Sequence, residues 1–106
     1  MTRIDIIGPD EIEAMIDKEI EGYDATSKSR AGTLAAFIEA RRTPRLVTVN
    51  FSGGIQQKCY SVTRPNGDYR VIYLPLAGYF SLCVESAFGP LDIGVHGPAI
   101  DCFGSV

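Results

Sequence analysis

The sequence predicts an α+β domain in which two N-terminal helices pack on one face of a five- or six-stranded antiparallel meander sheet. Three observations lead to this prediction. Apolar residues recur at helical spacing up to about residue 42, and from residue 45 onward they alternate with polar ones. Clusters of Gly, Pro, Asn and Ser interrupt the alternating part at short intervals. At 106 residues, the chain has room for one domain, spanning residues 1–106.

The helices are predicted at about residues 9–22 and 26–42. Pro9 suits a first helical turn because proline lacks the N–H that this turn leaves unpaired, and the acids after it favour the positive end of the helix dipole. Pro44 ends the second helix because the residue before a proline avoids helical backbone. The expected apolar stripes are formed by Ile12, Met15, Ile16, Ile20, Tyr23, Leu34, Ala35, Phe37 and Ile38.

Strands joined by tight hairpins are predicted from about residue 45 to residue 103. The length of each hairpin loop sets the register of the strands it joins. The expected pairs are Val47 with Tyr60 across residues 53–54, Val62 with Val71 across residues 66–67, Val71 with Leu82 across residues 75–78, and Val84 with Ile93 across residues 87–90. Residues 99–106 either form a sixth strand or, from residue 100 onward, fold back over the surface formed by Ile72, Leu74 and Tyr79.

These registers divide the sheet into two faces. One face is apolar and is called the core face: it carries Val47, Val49, Phe51, Tyr60, Val62, Tyr69, Val71, Tyr73, Phe80, Leu82, Val84, Leu91, Ile93 and Val95. The opposite face, called the second face, follows by subtraction. It carries Thr48, Asn50, Cys59, Ser61, Thr63, Arg70, Ile72, Leu74, Tyr79, Ser81, Cys83, Glu85, Asp92, Gly94 and His96.

The second face is the candidate binding surface because it carries too little charge for a solvated sheet. No Lys or Arg follows Arg70, although a solvent-facing sheet normally carries many charges. We therefore expect another subunit, a ligand, or curvature of the sheet around a cavity to cover this face. The candidate ligand- or partner-binding residues are Ser61, Arg70, Ile72, Leu74, Tyr79, Ser81, Cys83, Glu85, Asp92 and His96.

The function predicted from these residues is that of a small, soluble, non-enzymatic binding protein. We expect it to form a homo-oligomer through Ile72, Leu74 and Tyr79, and to engage a partner protein or a small apolar ligand through the second face. The alternative is a small hydrolase-like enzyme, in which His96 would work with Ser81, Cys83 or Asp92. In the expected register Ser81 lies opposite His96, Cys83 opposite Gly94, and Glu85 opposite Asp92, which would be a like-charge pair.

The net charge and the length of the apolar runs argue against two classes of partner, nucleic acids and membranes. The net charge is −3, so no nucleic-acid partner is expected, and no apolar run is long enough to predict a membrane span. A basic patch around the second helix is expected to pair with the acidic first helix: Lys28, Arg30, Arg41, Arg42 and Arg45.

The three cysteines lack the spacing of a metal site or a disulfide framework. They therefore predict free thiols and a cytoplasmic location, with no metal and no cofactor.

Overall fold

A computed structural model describes residues 7–65 and 67–106. The first two elements are helices and the next five are strands, so the α+β class with N-terminal helices is confirmed. The elements are α1 (Pro9–Gly22), α2 (Lys28–Ala40), β1 (Arg41–Phe51), β2 (Ile55–Thr63), β3 (Tyr69–Leu74), β4 (Tyr79–Ser86), β5 (Gly89–Gly97) and α3 (Ala99–Gly104).

Helix α1 has the predicted bounds, with Pro9 in its first turn and Ile12 and Ile16 buried. Helix α2 is shorter than predicted. It begins after Ser27, whose Oγ accepts the N–H of Arg30 at 3.1 Å and so caps the helix. It ends at Ala40 because β1 already begins at Arg41.

The five strands follow one another in a meander, but the sheet closes into a barrel and is not wholly antiparallel, so the predicted antiparallel meander sheet is right only in part. Consecutive strands pair antiparallel as expected, but β1 also pairs in parallel with β5, at Asn50 and Leu91. Closure joins the two strands that an open sheet would leave at its edges. Closure also turns the second face into the inner wall of the barrel, where Ile72 and Leu74 are buried.

The registers of the two central hairpins are confirmed. Tyr60 pairs with Tyr73, and Val71 with Leu82. Asn66, which belongs to the predicted turn between β2 and β3, lies outside the described residues.

The β1–β2 register is wrong by one residue because three residues, Ser52–Gly54, join the strands instead of two. Val47 consequently pairs with Cys59 rather than with Tyr60. A one-residue shift turns every side chain of a strand to the other face. Val47 and Val49 therefore pack inside the barrel, away from the helices.

The β4–β5 register is right at one end and wrong at the other. Leu82 pairs with Val95 as predicted, but a bulge follows. Beyond it, Cys83 lies opposite Asp92 instead of Gly94. The other corrected pairs are Glu85 with Pro90 and Val84 with Leu91. The predicted like-charge pair of Glu85 and Asp92 therefore does not form.

The helices pack on the outer wall of the barrel, against most of the predicted core face. Residues 99–104 form the helix α3 on this same outer wall, so they neither add a sixth strand nor cover Ile72 and Leu74. The Glu19 carboxylate fixes α3 by accepting the N–H groups of Ala99 and Ile100 at 2.9 and 3.1 Å. The buried residues of this core are Ile12, Ile16, Phe37, Ala40, Val62, Val71, Tyr73, Phe80, Leu82, Ala99, Ile100, Cys102 and Phe103.

Candidate functional site

The strand registers place all ten predicted site residues on the inner wall of the barrel. Ser61 pairs with Ile72, Ile72 with Ser81, and Ser81 with His96, so these four side chains form one row. Residues two positions away along a strand point the same way, which puts the remaining six on this wall as well. These six are Arg70, Leu74, Tyr79, Cys83, Glu85 and Asp92.

The apolar members of the inner wall bury one another. Ile72, Leu74 and Cys83 pack with Val49 and Cys59, and none of the five is more than 4% exposed. Closure of the sheet, one of the three explanations left open by the sequence, therefore covers the apolar part of the second face. Ile72 and Leu74 are not available to a second subunit in this structure.

A polar group on the same wall is formed by three predicted residues. The Ser81 hydroxyl donates to Asp92 Oδ1, and His96 Nε2 lies 3.2 Å from both carboxylate oxygens of Asp92. The Tyr79 ring stacks on His96 with a centroid distance of 4.9 Å. The acid thus stands between serine and histidine, whereas a catalytic triad needs histidine to contact the nucleophile. Ser81 is also fully buried, so a substrate cannot reach it.

The thiols of the inner wall are equally unsuited to nucleophilic attack. Burial raises the pKa of Cys83 to about 12 and that of Cys59 to about 11, with a smaller contribution from the nearby Asp92 carboxylate. The thiolate is the reactive form, so both groups are unreactive near neutral pH. All three cysteines are free and buried in this structure.

An ion pair marks one end of the inner wall. Arg70 Nε donates to Glu85 Oε1 at 2.6 Å, and Arg70 Nη1 lies 3.5 Å from Ser61 Oγ. The Arg70 side chain is only 13% exposed. Its guanidinium is therefore held in place beside the buried hydroxyl of Ser61, at the edge of an open cavity.

This cavity is called the arginine mouth. It has a volume of about 390 Å³ and is lined by Arg42, Thr43, Arg45, Ser61, Thr63, Arg64, Pro65 and Arg70. Four of the chain's seven arginines thus line one site, and among residues 7–65 and 67–106 no carboxylate belongs to this lining. Guanidinium groups present planar pairs of N–H donors that match carboxylate and phosphate oxygens. The lining of the mouth can therefore donate hydrogen bonds to an anionic group.

The predicted site residues included Ser61 and Arg70 but not the other three arginines of the mouth, Arg42, Arg45 and Arg64. The basic patch was a partial signal, since Arg41, Arg42 and Arg45 belong to it. Its expected pairing with the first helix is found for Arg41, which contacts Asp17 Oδ1 at 2.7 Å. Arg42 and Arg45 of the basic patch line the mouth instead, because β1 begins at Arg41, where the second helix was expected to continue.

A second cavity, called the outer groove, lies on the outer wall of the barrel. It has a volume of about 430 Å³, and its lining is formed by Leu46, Gln57, Lys58, Tyr60, Pro75 and Leu76. Leu46 and Leu76 are 56% and 64% exposed. The helices do not shield these two side chains, so the groove presents apolar surface to solvent.

Comparison with known proteins adds no functional information. No family model matches the chain, and neither curated proteins nor solved structures give a significant match. Within residues 7–65 and 67–106, no three His, Cys, Asp or Glu side chains are grouped so that they could hold a metal ion. In that same part of the chain, the helices are too short or too polar to cross a membrane.

Proposed function

We propose that this chain is a non-enzymatic binding protein that recognises acidic side chains of a partner protein, and that the arginine mouth is its binding site. The convergence of Arg42, Arg45, Arg64 and Arg70 on one cavity carries the proposal. Clustered like charges raise the local potential and attract oppositely charged groups. The chain carries a net charge of −3, so this positively charged cluster is opposite in sign to the chain as a whole.

The contacts of these arginines support an anionic ligand. Arg70 is bound to Glu85 and is fixed in orientation, whereas the Arg64–Glu39 pair is long, at 3.6 Å, and largely exposed. Arg42 donates only to main-chain carbonyl groups among the described residues. Within the part of the chain that the structure describes, the mouth therefore carries more positive charge than the neighbouring carboxylates balance, and an acidic partner would supply the missing negative charge.

The other predicted functions have less support. A small apolar ligand would compete with Ile72 and Leu74, which are already packed inside the barrel. The hydrolase-like alternative lacks an accessible nucleophile in contact with His96. Self-association stays a prediction, but Tyr79 is the one exposed side chain among the three that suggested it.

The proposal is tested by calorimetric titration with hexaglutamate at low ionic strength. We expect binding that weakens as salt is added and that falls by about tenfold or more in the double variant Arg42→Gln, Arg45→Gln. Arg30→Gln is the matched control, because Arg30 is exposed and stacks on Tyr23 away from the mouth. Equal affinity of the double variant and the wild type would overturn the proposal, as would a complete lack of binding by the wild type.

A further inference from the structure

We infer that the partner engages both faces of the β1–β2 hairpin, placing acidic side chains in the arginine mouth and an apolar side chain in the outer groove. This inference rests on the proposed function and specifies the partner's chemistry. The two cavities lie back to back. Arg45 and Ser61 pair on the inner face, and the neighbouring pair of Leu46 and Tyr60 lies on the outer face.

Among the described residues, both cavities lie beside the edge of β1 that precedes its pairing with β5. Strand β5 pairs with β1 at Asn50, near the end of that strand, while Arg42, Arg45 and Leu46 lie earlier in β1 and are exposed. The side chains of a sheet extend about 5 Å to each side, so the two faces are about 10 Å apart. A ten-residue extended segment reaches about 33 Å, which is enough to pass over this edge and enter both cavities.

The outer groove has the features of an apolar anchor site. Leu46 and Leu76 are exposed beside a concave surface, and Tyr60 is partly buried under them. A side chain that fills such a concavity and is surrounded by protein contributes most of the energy of many interfaces. Lys58 in the same lining also favours an acidic partner over a basic one.

The lining of the mouth favours a protein over a single-stranded nucleic acid. Proteins that bind single strands combine basic groups with aromatic rings on which bases stack. The described residues that line the arginine mouth are arginine, serine, threonine and proline, with no aromatic side chain among them. The eight acids within residues 1–24 would also repel a long polyanion, whereas a short acidic segment can avoid them.

The experiment compares two fluorescent decapeptides by anisotropy. The first has a glutamate-rich half and a leucine-rich half, and in the second the leucines are replaced by serines. We expect the first to bind about fivefold or more tightly than the second, because only its leucines can fill the groove. Leu76→Ser should remove this advantage without weakening the serine peptide. Ile38→Ser is the matched control, since Ile38 is an exposed apolar residue of α2, outside the groove.

The outcomes separate this inference from the proposed function. Equal affinities of the two peptides, or an advantage that survives Leu76→Ser, would refute the role of the groove and leave the arginine mouth as the binding site. If neither peptide binds, the proposed function fails as well. Tighter binding of an octathymidylate than of the leucine peptide would identify a nucleic-acid site and overturn the choice of a protein partner.

Discussion

The Asp92 carboxylate binds two neighbours with different accessibility. It accepts the hydroxyl of fully buried Ser81 and faces the ring of His96, which is partly exposed. The same carboxylate lies near the thiols of Cys59 and Cys83 and adds to the rise in their pKa values that burial produces. A negative charge fixed in the inner wall therefore helps to keep these thiols protonated.

The raised thiol pKa values predict that the protein loses stability in alkaline solution. In the unfolded chain these thiols ionise near pH 9, whereas in the folded protein they stay protonated until about pH 11 to 12. Above pH 9 the unfolded state has lost protons that the folded state keeps, so the free energy of unfolding falls. Each thiol contributes a slope of about 1.4 kcal/mol per pH unit at most.

Urea unfolding between pH 7 and pH 10.5 measures this slope. Cys83→Ala removes one of the three thiols and should make the decline above pH 9 less steep, while its stability at pH 7 serves as the reference. A Cys83→Ala variant with the same alkaline decline as the wild type would show that ionisation of this thiol is not coupled to unfolding.

At the scale of elements, the sequence predicts registers well where one loop length is strongly preferred. The four-residue loop predicted at residues 75–78 joins β3 and β4, and the register predicted from its length is right. Between β1 and β2, both Gly53 and Gly54 adopt positive φ, and glycines permit a two-residue or a three-residue loop equally well. The predicted two-residue loop therefore placed Val47 and Val49 on the core face, whereas the three-residue loop places them inside the barrel.

The bulge in β5 also escaped prediction, although Gly94 is the residue that permits it. Gly94 has φ of +82°, a conformation that side chains with a Cβ rarely adopt. The bulge shifts the pairing so that Asp92 lies opposite Cys83, close enough to Ser81 to accept its hydroxyl. The contacts of Asp92, a predicted site residue, therefore depend on this bulge, and the alternation of apolar and polar residues does not predict a bulge.

Two identical substitutions should have opposite effects on stability. Gly94→Ala is expected to lower the free energy of unfolding by about 1–2 kcal/mol, because alanine is strained at positive φ. Gly32→Ala should raise it by about 0.5–1 kcal/mol, because Gly32 lies inside α2 with nothing within 4 Å of an added Cβ. Chemical denaturation of both variants measures the difference. A Gly94→Ala protein as stable as the wild type would contradict the conformational requirement at the bulge.

At the scale of the whole molecule, closure of the barrel explains how the second face is covered, which the sequence predicted without identifying the cover. The absence of Lys and Arg after Arg70 predicts that the second face is covered, but a second subunit, a ligand or curvature of the sheet could each cover it. The pairing of β1 with β5 joins residues 41 positions apart, and local patterns carry no signal for such a contact. The arginine mouth likewise joins residues from three consecutive strands, because Arg45 of β1, Ser61 of β2 and Arg70 of β3 all line it.

The Leu74→Arg variant distinguishes closure within one chain from coverage by a second subunit. Leu74 is 4% exposed and packs with Ile72 and Cys83 inside the barrel. An arginine there would bury an unpaired charge or force the barrel open, so we expect a loss of more than about 4 kcal/mol and an unfolded chain by circular dichroism. Tyr79→Arg is the control, since Tyr79 lies at the exposed rim of the same face and should tolerate the charge.

Light scattering on the same proteins then separates the explanations. If this face joined two subunits, Leu74→Arg would give a folded protein with the mass of one chain, 11.5 kDa, while the wild type gave a multiple of it. A folded Leu74→Arg monomer would therefore contradict burial of Leu74 by its own chain. If the wild type self-associates while only Tyr79→Arg dissociates as a folded protein, the contact lies at the rim, where a partner subunit can reach the surface without opening the barrel.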